Sequence, residues 1–140
     1  MPYSRKLDTI TLDGARRVKD AALAQAAALG LSIALAVIDR TGILVLAETM
    51  DDAPPGAWES ALMKARGAAR YRTATHQTGA FLKTLPAPLA HHALSLPELC
   101  AFQGGVLLAV DGRIVGGLGI SGGSGEQDIQ IAMAAVATIA

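Results

Sequence analysis

In the N-terminal part of the chain apolar positions recur at helical spacing. Ala15, Val18, Ala22, Ala26 and Leu29 share one face of "LDGARRVKDAALAQAAALG", and Arg16, Arg17, Lys19 and Asp20 fall largely elsewhere. Thr11 is placed as the N-cap of this amphipathic helix and Gly30 as its C-terminal glycine. The helical period then disappears. "SIALAVIDRTGILVLAETM" reads as two apolar runs separated by Asp39-Arg40-Thr41-Gly42, which predicts a hairpin; the continuously apolar first run predicts a central strand buried on both faces. Pro54-Pro55-Gly56 breaks the chain and opens a second helix at "AWESALMKARGAARYR", with Trp58, Leu62, Ala65 and Ala69 expected on one face.

From position 74 to 100 no period is sustained and three prolines intervene, so short helical turns and loops are expected. In "AFQGGVLLAVDGRIVGGLGISGG" the pair Asp111-Gly112 stands between two apolar runs, a strong signal for a two-residue hairpin. A further short strand is expected at Cys100 to Phe102. The last helix opens with a capping box, Ser124 and Gln127, and its core stripe reads Ile129, Ala132, Met133, Val136 and Ile139. Ile131, Ala134, Ala135 and Ala137 leave it hardly any polar face, which predicts cover from a second subunit and hence a homo-oligomer.

Composition sharpens this picture. The 140 residues suit a single domain, and hydrophobic residues make up 51% while aromatics make up 4%, so Ala, Val, Leu and Ile must build the core. Lys+Arg and Asp+Glu are both 12, which gives no electrostatic case for nucleic acid or an anionic membrane as partner. Cys100 is the single cysteine, so no intrachain disulfide is possible and a buried structural thiol is expected. "MPYSRKLDTITLDG" lacks the apolar stretch of a secretory signal, and a cytoplasmic protein is expected.

The segment "GLGISG" from Gly117 to Gly122 spells G-x-G-x-x-G, the pattern of a dinucleotide cradle. That cradle needs a β-α-β unit with an acidic residue at the end of the next strand. Only residues 123 to 140 follow, and one helix consumes them. The reading that remains is structural: Gly116, Gly117 and Gly119 in a strand admit a close neighbour, and Gly122 and Gly123 turn the chain into the helix.

Three stretches together resemble the GlcG/HbpS-like family of small haem-binding and so-called haem-degrading domains, which includes the C-terminal domain of some corrinoid adenosyltransferases. They are "TLDGARRV", "MDDAPPGAWESALMKARGAAR" and "GGVLLAVDGRIVGGLGISGGSGEQD". The resemblance covers nearly the whole chain from about Leu7, with 74 to 100 the poorest match. It implies a profilin-like α+β (α/β) domain, a five-stranded antiparallel sheet flanked by helices, commonly assembled as oligomers. It further implies that some members bind haem or other tetrapyrroles, while others serve catabolic pathways without a cofactor.

Candidate chemistry follows from individual residues. His76, His91 and His92 are the only histidines, and an axial haem ligand is most simply one of them. No C-x-x-C-H occurs, so covalent attachment is excluded, and ligand-free surface histidines remain the competing reading. No zinc or calcium spacing is present. Lys64 has small helical neighbours in Ala57, Ser60, Ala61 and Ala68, which makes room for a ligand carboxylate at its ammonium; the alternative is a snorkelling lysine that covers apolar surface. Met50 and Asp51 end the first hairpin, where Asp51 can act as a general base with Lys64 or Arg113 orienting an acidic substrate, or can simply make turn hydrogen bonds. The backbone of Gly104 and Gly105 can line a pocket or hold an oxyanion, and a tight turn is the alternative. Arg66, Arg70 and Arg72 cluster with Tyr71 where the helix dipole alone can account for them.

Two classes of function follow. One is a binding module for haem or a related planar ligand, contacted by a histidine. The other is a cofactor-independent hydrolase, isomerase or tautomerase acting on a small acidic intermediate at Lys64, Asp51 and Gly104-Gly105.

Overall fold

The computed structural model describes residues 2–140. The elements run α1 (Leu12–Ala28), β1 (Ala34–Asp39), β2 (Leu44–Thr49), α2 (Ala57–Tyr71), α3 (Thr75–Leu82), α4 (Ala87–Leu94), β3 (Gly105–Val110), β4 (Arg113–Ser121) and α5 (Gly125–Val136). Thr11 caps α1 as its sequence predicts, its hydroxyl accepting the Gly14 N–H at 3.0 Å, and Gly30 takes the left-handed φ of 69° that ends the helix. Asp111 and Gly112, with φ of 50° and 76°, form the tight turn between β3 and β4.

Among the described residues the sheet has four strands, not five, in the order β2-β1-β4-β3 with every pairing antiparallel. Cys100 to Phe102 form no strand. The chain there is wedged between helices, where Gly67 has Cys100 Cβ against it and Gly79 has the Ala101 carbonyl, so its backbone lies against α2 and α3. β1 is buried along its whole length, as expected for a central strand.

Alternating residues of the sheet feed two unlike faces. Ile33, Leu35, Val37, Val106, Leu108, Leu118 and Ile120 join Val18 and Ala22 of α1 and Ile131 and Ala135 of α5 in the main core. On the opposite face Ala34 packs on Ala57 and Ala61, and Ala36 and Ile38 pack on Ala65, all three from α2. That second interface is built from small residues for a steric reason. A Cβ on Gly117 would lie 2.6 Å from the Ala65 carbonyl, and one on Gly119 would overlap the Ala61 carbonyl, so the α2 backbone rests almost directly on β4.

This contact rotates the expected face of α2: Ala65 is buried and Leu62 and Ala69 pack beside it, but Trp58 is not part of it. Ala57, Ala61, Lys64, Ala65 and Ala68 point inward, while Trp58 is 52% exposed, because an indole has no space against bare glycine backbone. The stripe expected on α5 is rotated as well, although Ala132 is buried and Val136 and Ile139 pack against the main core as expected. Asp128, Ile131, Ala132 and Ala135 are buried and Met133 is exposed, since the helix is oriented by a buried carboxylate that an apolar count leaves out. Residues 74 to 100 carry α3 and α4, the short helices expected there, and α4 has no buried residue. No helix among the described residues is long and apolar enough to cross a membrane.

Candidate functional site

Lys64 enters the interior from α2, and its side chain is 5% exposed. Its Nζ donates to the Ile120 carbonyl of β4 at 2.8 Å and to Asp128 Oδ2 of α5 at 3.0 Å. Two of the three N–H groups of an ammonium are used in these bonds. The other carboxylate oxygen of Asp128 accepts the Gly123 N–H at 2.9 Å, so one side chain joins the turn after β4 to the helix that follows it. Burial pushes the Asp128 carboxyl above its ordinary range, and the bonds from Lys64 and Gly123 pull it back in part.

Gly104 and Gly105 close the other side of this pair. Gly104 has a φ of 121°, and a Cβ there would lie 3.1 Å from Lys64 Nζ and 2.9 Å from Asp128 Cβ. Gly105 abuts the Lys64 carbonyl and gives its N–H to Thr75 Oγ1 at 2.8 Å, which fixes the start of α3 to the start of β3. An open cleft of about 400 Å³ lies over the pair, with Ser60, Phe102, Gln103 and Ser121 on its walls. The structure therefore brings together Lys64, Gly104 and Gly105 of the expected residues. It adds Asp128, which an apolar count along α5 leaves out.

Lys64 thus does not snorkel: it is 4% exposed and held between two acceptors at the floor of the cleft. Asp51 is exposed in the turn that leads from β2 toward α2, and it is not among the residues lining the cleft. The Met50 sulfur accepts the Ile33 N–H at 3.4 Å, and its side chain packs on the main core, so it closes the β1–β2 ribbon. Arg113 pairs with Asp8 at 2.9 Å at the far end of β4 from Ile120. Lys64, Asp51 and Arg113 therefore do not form one catalytic group.

The histidines lie on α3 and α4. His76 is half-buried, and its Nδ1 is enclosed without a hydrogen-bond partner; His91 and His92 are exposed in the last turn of α4. Phe81, Leu89, Leu94 and Leu96 are exposed on the same two helices and just after them. Among the described residues no three His, Cys, Asp or Glu side chains gather as a metal site.

A four-stranded antiparallel sheet between α1 and α5 on one face and α2 on the other, cross-tied by a buried lysine–aspartate pair, defines a small layered α+β domain. The chain belongs to the HbpS-like family, whose profile, described as haem degrading protein HbpS-like, matches residues 10–137. It is 29% identical over 136 residues to an uncharacterized 15.0 kDa protein of the dhaT-dhaS intergenic region of Citrobacter freundii, covering 97% of this chain and 96% of that one. It is 32% identical over 140 residues to the corrinoid adenosyltransferase PduO of Salmonella typhimurium, covering 99% of this chain but 42% of that protein. Among solved structures the PduOC:heme complex superposes with a TM-score of 0.84 at 32% identity, covering 94% of this chain and 95% of that one.

Proposed function

We propose that this protein binds haem or a related tetrapyrrole, as a cytoplasmic small-ligand-binding domain. The observation that carries the reading is a coincidence on α3 and α4. All three histidines share these helices with exposed Phe81, Leu89 and Leu94, and no residue of α4 is fully buried. A planar apolar macrocycle covers such a surface, and a histidine nitrogen that reaches that surface can meet its iron. His76 fits best through its other ring nitrogen, because Nδ1 is enclosed by the protein while the ring as a whole is only half-buried. The solved haem complex of a relative at 32% identity supports the same reading.

The test is a haemin titration followed at the Soret band, with His76→Ala, His91→Ala and His92→Ala beside the unaltered protein. A saturable shift lost in His76→Ala is the expected result. A shift lost in His91→Ala or His92→Ala instead moves the ligand to α4, and the absence of any saturable change removes the haem reading.

The cleft over Lys64 favours a second reading, in which a small acidic compound is turned over without a cofactor. Two N–H groups of Lys64 are used inside the protein, which leaves a third to hold an anionic group of such a compound. Asp51 has no part in that version. We further propose a homo-oligomer in which the exposed Met133, Ala134 and Ala137 flank of α5 is covered. A sedimentation mass that stays monomeric at all concentrations would exclude it.

A further inference from the structure

At the opposite end of the sheet from Lys64, a second cleft of about 250 Å³ is lined by Arg40, Arg66, Arg70, Arg72 and Glu98. Four arginines and one glutamate thus line one cleft in a chain whose formal net charge is zero. The dipole of α2 accounts for cations near its C-terminus, but not for Arg40, which comes from the β1–β2 turn and converges on the same space.

The local contacts leave this charge poorly compensated. Glu98 reaches Arg66 at 3.7 Å and Arg70 at 3.3 Å, longer than a tight charge-assisted bond, and its side chain is 39% exposed. Arg40 is anchored by one terminal nitrogen on the Ile114 carbonyl at 3.1 Å, while its enclosed Nε has no partner. Apart from Ile38, Gly42 and Ala69 the walls are polar or charged, so nothing here grips an extended apolar body.

We propose that this cleft is a binding site for a compact oxyanion carrying two or more negative charges, of the phosphate or polycarboxylate class. The planar donor forks of arginine match such oxygens in pairs, and several forks from different elements can engage one ion at once. Glu98 then acts as an internal competitor that occupies part of the site when the anion is absent. The site is distinct from the surface on α3 and α4 argued for haem, and it does not depend on that reading.

The experiment is calorimetric titration of the whole chain with pyrophosphate and, separately, with citrate, with chloride at matched ionic strength as control. Saturable binding of either anion is expected. Arg66→Gln and Arg72→Gln, both replacing partly or fully exposed side chains, should weaken it by about 10-fold or more. Glu98→Gln should tighten it by about 2- to 5-fold, the reverse of what a purely structural role for Glu98 predicts. Haemin affinity measured on the same variants should be unchanged. Heats that track ionic strength alone, affinities unaltered by the arginine substitutions, or loss of haemin in place of the anion would each overturn the proposal.

Discussion

Lys64 Nζ lies 3.0 Å from Asp128 Oδ2, and the two side chains are only 5% and 3% exposed. With the Ile120 carbonyl as the third member, this pair ties α2 to α5 through the end of β4. Breaking one partner of a buried pair leaves the other charge without compensation. Lys64→Met is therefore expected to cost about 3–5 kcal/mol. The double variant Lys64→Met/Asp128→Leu removes the stranded carboxylate too, and most of the loss should return. Urea denaturation of the two single variants and the double variant measures the coupling; single costs that simply add would show that the pair is not coupled.

The pH dependence of Asp128 runs opposite to that of an ordinary salt-bridged carboxylate. Burial is its largest influence and raises its pKa above the usual 3.8, so the folded state holds this proton more tightly than the unfolded state does. The contribution is therefore fully present below the unfolded value and declines as pH rises through the elevated folded value. The stability of the unaltered protein minus that of Asp128→Asn should fall as pH rises from about 3.9. Denaturant midpoints of both proteins across the acid range test the sign. A difference that grows with pH would mean that the bonds from Lys64 and Gly123 outweigh burial.

Cys100 is 4% exposed, and burial pushes its thiol above the ordinary value, against smaller opposing effects from the Phe102 backbone and the Lys64 charge. Thiolate is the reactive form, so both access and ionisation protect it. Its reaction with Ellman's reagent should be slower in the native protein than in denaturant by about 100-fold or more, because it requires local opening. A native rate close to the unfolded one would show that the segment from Cys100 to Phe102 opens freely from α2 and α3.

Much of the fold is legible from local rules. Thr11, Gly30, Asp111-Gly112 and the Ser124–Gln127 capping box each do what their chemistry predicts, since each is decided by the backbone within a few residues. The faces of α2 and α5 are legible from apolar residues only in part: Ala65 and Ala132 are buried and Leu62, Ala69, Val136 and Ile139 pack beside the core, but Trp58 and Met133 point outward. On α2 the inward face is set by Gly117 and Gly119, some fifty positions away in the chain, which admit only small residues. On α5 the signal was present but was carried by a charge: Asp128, Ile131, Ala132 and Ala135 stand at helical spacing, with the aspartate in the first core place. A carboxylate in that register asks for a buried cation, and Lys64, among the alanines of α2, is that cation. Arg40 gave no such signal, since only the hairpin brings it to the arginines of α2.

The close seat of α2 on β4 gives the last prediction. A Cβ at Gly119 would overlap the Ala61 carbonyl and lie 2.6 Å from the Ala65 nitrogen, both backbone atoms that cannot swing aside. Gly119→Ala must therefore push α2 from the sheet or bend β4, an overpacking cost of about 3 kcal/mol. Lifting α2 also stretches the contact between Lys64 and Asp128, so the loss should be smaller on a Lys64→Met/Asp128→Leu background, where no pair remains to be strained. Gly56→Ala serves as the control: nothing lies within 4 Å of its added methyl, and φ is −83°, so it should cost no more than about 0.5 kcal/mol. Denaturation midpoints of the unaltered protein, Gly119→Ala, Gly56→Ala, and the double variant with and without Gly119→Ala decide the matter. Equal costs for Gly119→Ala and Gly56→Ala would mean that α2 is not held against the glycine backbone of β4.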